Sequence, residues 1–145
     1  METNNIKEEL LKGKHILVIE DDNFISRVYT KWLTKRGAEV TIAHDGALGL
    51  EAVIKQRMDL ILLDLGMPGM DGYETIRRLR GDADTKAIPI VVLSNTSVSE
   101  SHPRYAEMKA LGVTDILRKY ETSLREIVEC ISKHLGVEYN NHNSI

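Results

Sequence analysis

The feature that most constrains this chain is a fivefold alternation of short apolar runs with segments of helical periodicity. The runs are His15–Ile19, Glu39–Ala43, Leu60–Leu63, Ile88–Leu93 and Asp115–Arg118. They have strand length, and Leu60–Leu63 is apolar throughout, the mark of a strand covered on both faces. Pro89 falls at the entrance of the fourth run, where a lost backbone donor is tolerated. Between the runs lie helices. Ile25, Val28, Trp32 and Leu33 share one face of Asn23–Arg36, and Gly37 supplies the stop. After the Asp45-Gly46 turn, Ala47–Arg57 offers Leu50, Val53 and Ile54 as its inner face. Asp71 and Glu74 form a capping box for a helix over Gly72–Arg80. Pro103 opens a fourth helix that turns Tyr105, Met108 and Leu111 inward and stops at Gly112. Ser123 and Glu126 cap the last helix, whose stripe is Leu124, Ile127, Val128, Ile131 and Leu135. Successive strands joined through helices must pair in parallel, and a parallel sheet needs both faces covered. The expectation is an α/β fold: a doubly wound, five-stranded parallel sheet with five helices.

A length of 145 residues suits one such domain. The reading divides it into an N-terminal extension over 1–13, a domain over 14–136 and a flexible, polar, Asn-rich tail over 137–145. The extension reads as a frayed helix packing Ile6, Leu10 and Leu11. A net charge of −3 gives no electrostatic footprint for nucleic acid or an anionic membrane. The apolar runs, Leu60–Leu63 among them, are far too short to cross a bilayer, and the opening residues do not read as a signal peptide. The single cysteine, Cys130, excludes an internal disulfide and a four-thiolate zinc site. A cytoplasmic protein is expected.

Sheets of this kind carry functional residues in the crevice beyond the carboxyl ends of their strands. The first strand ends in Glu20 and Asp21, the third in Asp64, the fourth in Ser94 and the fifth in Lys119. Singly, each has an ordinary reading: a solvated cap, a turn residue, a loop hydroxyl, a surface charge. Together they are a different matter. Carboxylates about 4–5 Å apart repel by roughly 3–4 kcal/mol per pair at an effective dielectric of about 20. Proton uptake or a hard divalent cation relieves this, and magnesium leaves coordination room for a phosphoryl oxygen. With an ammonium and a hydroxyl added, the set suits a transferring phosphoryl group, with Asp64 as its nucleophile.

The residues at these positions also resemble a known family. Ile16-Leu-Val-Ile-Glu-Asp-Asp22 is similar to the acidic-pair segment of bacterial response-regulator receiver domains, and Asp59-Leu-Ile-Leu-Leu-Asp-Leu-Gly-Met-Pro-Gly-Met-Asp-Gly72 to their phosphoacceptor segment. Ile88–Ser94 and Gly112–Lys119 resemble the segments that supply the hydroxyl and the lysine, and the likeness runs from about Lys14 to Leu135. It implies the flavodoxin-like strand order 2-1-3-4-5. It implies that Asp64 accepts phosphate from a sensor histidine kinase or a histidine phosphotransfer protein. Mg2+ would be held by Asp21 and Asp64, by Glu20 through water and by the Gly66 carbonyl, while Ser94 and Lys119 bind phosphoryl oxygens. Such a domain promotes its own phosphorylation and dephosphorylation but is a signalling module, not an enzyme. As a stand-alone receiver it would contact a downstream protein target, with no nucleic acid or membrane partner; a homodimer through the fourth and fifth helices stays open. Asn23–Arg27 and the loop after Lys119 border the pocket and are the expected kinase-docking surface.

The chain departs from the family pattern at four positions: Tyr120 follows Lys119 where proline is usual, Ile116 stands where an aromatic switch residue is common, Asn95 replaces a small residue, and Gly66 leaves the acceptor without a flanking side chain. The Lys119–Tyr120 bond is therefore either trans or strained. Cys130 reads as a small packed side chain, Trp32 as a helix-packing residue, Tyr29, Tyr73, Tyr105 and Tyr120 as partly buried surface aromatics, and the histidines as unclustered at metal-ligand spacing. Three other readings compete with this one. A haloacid-dehalogenase-type phosphatase wants a second aspartate where Gly66 stands. A flavodoxin-like cofactor module wants a phosphate loop where Glu20-Asp21-Asp22 stands. A degenerate receiver would not need the complete set of Glu20, Asp21, Asp64, Ser94 and Lys119.

Overall fold

The computed structural model describes residues 9–65, 72–94 and 103–137. Five strands form one sheet: β1 (His15–Ile19), β2 (Glu39–Ala43), β3 (Leu60–Asp64), β4 (Ile90–Ser94) and β5 (Asp115–Arg118). Their spatial order is β2-β1-β3-β4-β5, and all neighbours are parallel. The helices are α1 (Asn23–Thr34), α2 (Gly46–Lys55), α3 (Gly72–Gly81), α4 (Pro103–Ala110) and α5 (Leu124–His134).

Side chains alternate across a strand, so each apolar run feeds two cores. Ile16, Val18, Leu60, Leu62, Val91 and Leu93 face α1 and α5, where they meet Tyr29, Leu33, Ile127, Val128 and Ile131. Leu17, Ile19, Ile61, Leu63, Ile90 and Val92 face the other way, onto Ile76, Leu79 and Met108. Residues 9–13 run in turns, yet Leu11 is fully buried in the first core with Leu10 beside it; Ile6 lies outside the described residues.

Local chemistry sets the element ends. Asp22 caps α1 by accepting from the Ile25 amide at 2.9 Å, and Asp45 caps α2 by accepting from Leu48 at 2.8 Å. The expected capping box of α5 is present: the Glu126 amide donates to Ser123 Oγ at 3.1 Å and the Ser123 amide to Glu126 at 3.4 Å. The box expected at Asp71 falls outside the described residues.

Three expectations need correction. Ile54 is not on the inner face of α2; it is 81% exposed, and α2 turns Gly46 and Gly49 to the sheet. A Cβ on Gly49 would sit 2.4 Å from Ile19 Cδ1, so its lack of a side chain lets the helix approach β1 closely. Tyr29 is a core residue, 5% exposed, not a surface aromatic. β4 begins at Ile90, leaving Pro89 just outside the strand. Trp32 does pack on the helix-facing side of the first core and stacks under the Arg36 guanidinium, 4.4 Å from its ring centre.

Candidate functional site

Four neighbouring strands deliver the predicted residues to one edge. Glu20 follows β1, tied there by its amide donating to the Ala43 carbonyl at 3.0 Å. Asp64 and Ser94 are the last residues of β3 and β4. Lys119 follows β5 and donates its amide to the Ser94 carbonyl at 2.8 Å. Parallel pairing puts all four at the same end of the sheet, although 99 residues of sequence separate Glu20 from Lys119.

The side chains of Glu20, Asp64 and Lys119 converge in a buried pocket, with Ser94 on the neighbouring strand end. Glu20, Asp64, Ser94 and Lys119 are all buried, at 1%, 3%, 3% and 8% exposure. The Lys119 ammonium donates to Asp64 Oδ2 at 3.2 Å and lies 2.5 Å from Glu20 Oε1. The second contact is a buried ion pair, in which the ammonium is the partner of Glu20 Oε1. Burial pushes the Glu20 carboxyl up to about 7, with Asp64 adding to the rise and Lys119 opposing it. Burial also disfavours the charge of Lys119, but Glu20 and Asp64 outweigh it and hold the ammonium above the ordinary lysine range.

Asp21 is the exposed member of the set. One ligand oxygen each from Glu20, Asp21 and Asp64 lie within 4.8 Å of one another. One ammonium, paired with Glu20 and Asp64, thus stands against three gathered carboxylates. This excess of negative charge on an all-oxygen donor set fits a divalent cation, with Asp21 at the solvent-facing side. Gly66 and Asn95 lie outside the described residues, so the carbonyl expected of Gly66 does too.

The sequence did not reveal two features around the pocket and one at the opposite edge of the sheet. Gly72, the first residue of α3, is packed so closely that a Cβ there would lie 2.9 Å from Leu65 Cα and 3.3 Å from the Asp64 carbonyl oxygen. It sets the spacing behind the acceptor, and a glycine at a helix start gives no signal of that in one dimension. Tyr29, whose hydroxyl burial pushes up to about 12, lines with Lys119, Phe24 and Tyr120 a cleft of about 230 Å3 beside the pocket. Arg80 donates to the carbonyls of Ile88 (2.8 Å), Leu111 (2.7 Å) and Gly112 (3.1 Å), fastening α3 to the segments before β4 and after α4. The Lys119–Tyr120 bond is trans, as no described peptide bond is cis.

A five-stranded parallel sheet in the order β2-β1-β3-β4-β5, with buried carboxylates, a hydroxyl residue and an ammonium at its carboxyl edge, defines a doubly wound, flavodoxin-like domain. The response regulator receiver domain model matches residues 16–132, and the chain belongs to that family. It is similar to the transcriptional regulatory protein YkoG of Bacillus subtilis, 36% identical over 82% of this chain and 48% of that protein. It is 40% identical to the response regulator MprA of Mycobacterium tuberculosis over 72% of this chain and 43% of that one. The chain therefore spans about half the length of these curated relatives. Among solved structures it resembles the chemotaxis response regulator CheY4 of Vibrio cholerae, with a TM-score of 0.75, 28% identity and coverage of 83% and 98% of the two chains. The receiver fold is a signalling domain of two-component systems, not that of a classical enzyme. Among the described residues no helix is long and apolar enough to cross a membrane.

Proposed function

We propose that residues 14–136 act as a phosphoacceptor switch in which Asp64 takes a phosphoryl group from a sensor histidine kinase or a histidine phosphotransfer protein. A carboxylate oxygen of Asp64 attacks phosphorus, the P–N bond of the phosphohistidine breaks, and an acyl phosphate forms while the imidazole leaves. The supporting observation is the buried Lys119 ammonium in contact with both Glu20 and Asp64. It is a positive charge already fixed beside the acceptor, needing no reorganisation when phosphoryl oxygens arrive. Ser94 is proposed to donate its hydroxyl to one of those oxygens and Lys119 to pair with another. Asp21 and Asp64, with Glu20 through water and the Gly66 carbonyl, are proposed to hold Mg2+. When bound, that ion neutralises charge on the phosphoryl oxygens and on the carboxylates.

Partner contact is assigned to the cleft lined by Phe24, Ile25, Val28, Lys119 and Tyr120, since Phe24 and Tyr120 are each 72% exposed beside the acceptor. Large aromatic side chains left in solvent next to a reactive centre suit a protein partner. Output is likewise proposed to be protein contact that changes with phosphorylation, in the cytoplasm, this segment with its net charge of −3 touching no nucleic acid.

The test is incubation with Mg2+ and acetyl phosphate followed by intact mass. The expected result is one added phosphoryl group in the parent, none in Asp64→Asn, and none with chelator in place of Mg2+. An adduct that persists in Asp64→Asn, or forms equally without a divalent ion, overturns the reading.

A further inference from the structure

A second polar cluster lies at the opposite end of β5. Asp115 opens that strand, about 13 Å of extended chain from Lys119. Cys130 and His134 stand one helical turn apart on α5, so both project from one face toward β5. Cys130 Sγ lies 3.4 Å from Asp115 Oδ2, and His134 Nε2 lies 3.3 Å from the same oxygen. All three ligand atoms fall within 4.8 Å of one another.

We propose that Asp115, Cys130 and His134 form a binding site for one divalent transition ion of the zinc class. The geometry is the first support. An ion with legs of about 2.3 Å to sulfur, about 2.0 Å to nitrogen and about 2.1 Å to oxygen, at tetrahedral angles, requires S···O and N···O separations of roughly 3.6 and 3.4 Å. The observed pair of distances is within about 0.2 Å of this. The second support is the orientation of the carboxylate. The Ile116 amide donates to Asp115 Oδ1 at 3.0 Å, fixing that oxygen and leaving Oδ2 to the site, as outer-shell bonds do for metal-ligating groups. The third is the donor set. One thiol, one imidazole and one carboxylate suit zinc or cobalt, not the hard ions that prefer oxygen alone. His134 is only 16% exposed while Asp115 is 39% exposed, so one side stays open for a water as fourth ligand.

The metal-free cluster is a hydrogen-bonded trio in which the Cys130 thiol donates to Asp115. Burial, reinforced by the Asp115 charge, pushes that thiol up to about 12. Metal binding therefore replaces the S–H bond with a metal–thiolate bond and sends the proton to solvent. The bound ion would clamp the last turn of α5 to the start of β5, the face of the domain away from the acceptor pocket.

The test uses the full chain without an affinity tag, stripped with chelator and titrated with Co2+, then with Zn2+. As Cys130 is the only cysteine, a thiolate-to-cobalt charge-transfer band reports on this site alone. The expected result is that band at one equivalent, together with the intense visible bands of a tetrahedral ion and release of the Cys130 proton. Zinc displaces the cobalt, and excess Mg2+, which suits the acidic pocket, does not. Cys130→Ser loses the band. His134→Gln and Asp115→Asn, which keep side-chain volume, each weaken cobalt binding at least about tenfold. Circular dichroism verifies that each variant is folded. No charge-transfer band at saturating cobalt, or a band of unchanged affinity in both His134→Gln and Asp115→Asn, overturns the site and leaves a hydrogen-bonded trio.

Discussion

Two ion networks in this domain use the same kinds of side chain to different ends. On the surface, Arg77 of α3 reaches Glu74 at 2.9 Å and Glu107 of α4 at 2.5 Å, while Arg78 joins Glu74 at 3.1 Å. At the carboxyl edge of the sheet, one ammonium meets Glu20 at 2.5 Å and Asp64 at 3.2 Å. The contact lengths are alike, but the surroundings are not. The Arg77 network stands in water, its side chains more than a third exposed, and solvent screens each pair. The Lys119 network is dry, so every charge in it depends on its partners. Contact distance alone does not separate a surface fastening from a reactive centre. Burial does.

That contrast can be broken or sharpened in steps of decreasing size. The largest effect is on phosphorylation: Asp64→Asn is expected to abolish the adduct formed with acetyl phosphate while leaving the fold intact, read by intact mass and circular dichroism together. Next, Lys119→Met strands two buried carboxylates and is expected to cost about 3–5 kcal/mol in urea unfolding. Added Mg2+ should restore more stability to Lys119→Met than to the parent, because the cation then supplies the missing charge. Equal Mg2+ responses would show that the ammonium and the cation do not share a site. Third, Gly72→Ala forces its Cβ against the Leu65 backbone. The expected loss is about 1–3 kcal/mol, with slower phosphorylation of Asp64. Arg77→Ala, by contrast, is expected to leave the melting midpoint within about 2 °C of the parent and phosphorylation unchanged.

The smallest effect concerns acid. Its hydrogen bonds to Arg78 and Arg77 hold the Glu74 carboxyl below the usual carboxylate range. A carboxyl lowered on folding stabilises the native state above its unfolded value, and that contribution is lost as pH falls through the depressed folded value. Glu74→Gln should therefore be slightly less stable than the parent at neutral pH and equal to it in acid, which flattens the acid limb of the stability curve, as chemical unfolding at several pH values would read.

Much of this was legible in one dimension because it is written in local chemistry. The strands show as apolar runs, since a parallel sheet buried on both faces leaves no polar positions in Leu60–Leu63. The cap at Ser123 shows as a side chain that satisfies the first helical amides, whereas Asp45 reads only as a turn residue and proves to cap α2. Glu20, Asp21, Asp64, Ser94 and Lys119 show as the residues at which those runs stop. The face of α2 was misread for an equally physical reason. Ile54 counted as core because it is apolar, whereas Gly49, with no side chain to score, carries the close contact to Ile19. Gly72 and Arg80 escaped notice alike, since their roles consist of approaches to backbone from distant segments.

The sequence by itself determined the strands, the helix caps and the chemical kind of every group at the carboxyl edge, because propensity, capping and hydrophobic pattern act over a few residues. Only the tertiary structure decided that Lys119 reaches Glu20 and Asp64 together, and that Cys130 and His134 share Asp115. Those meetings depend on strand order and on how α5 rotates against β5, and both are fixed by the packing of two cores drawn from the whole chain.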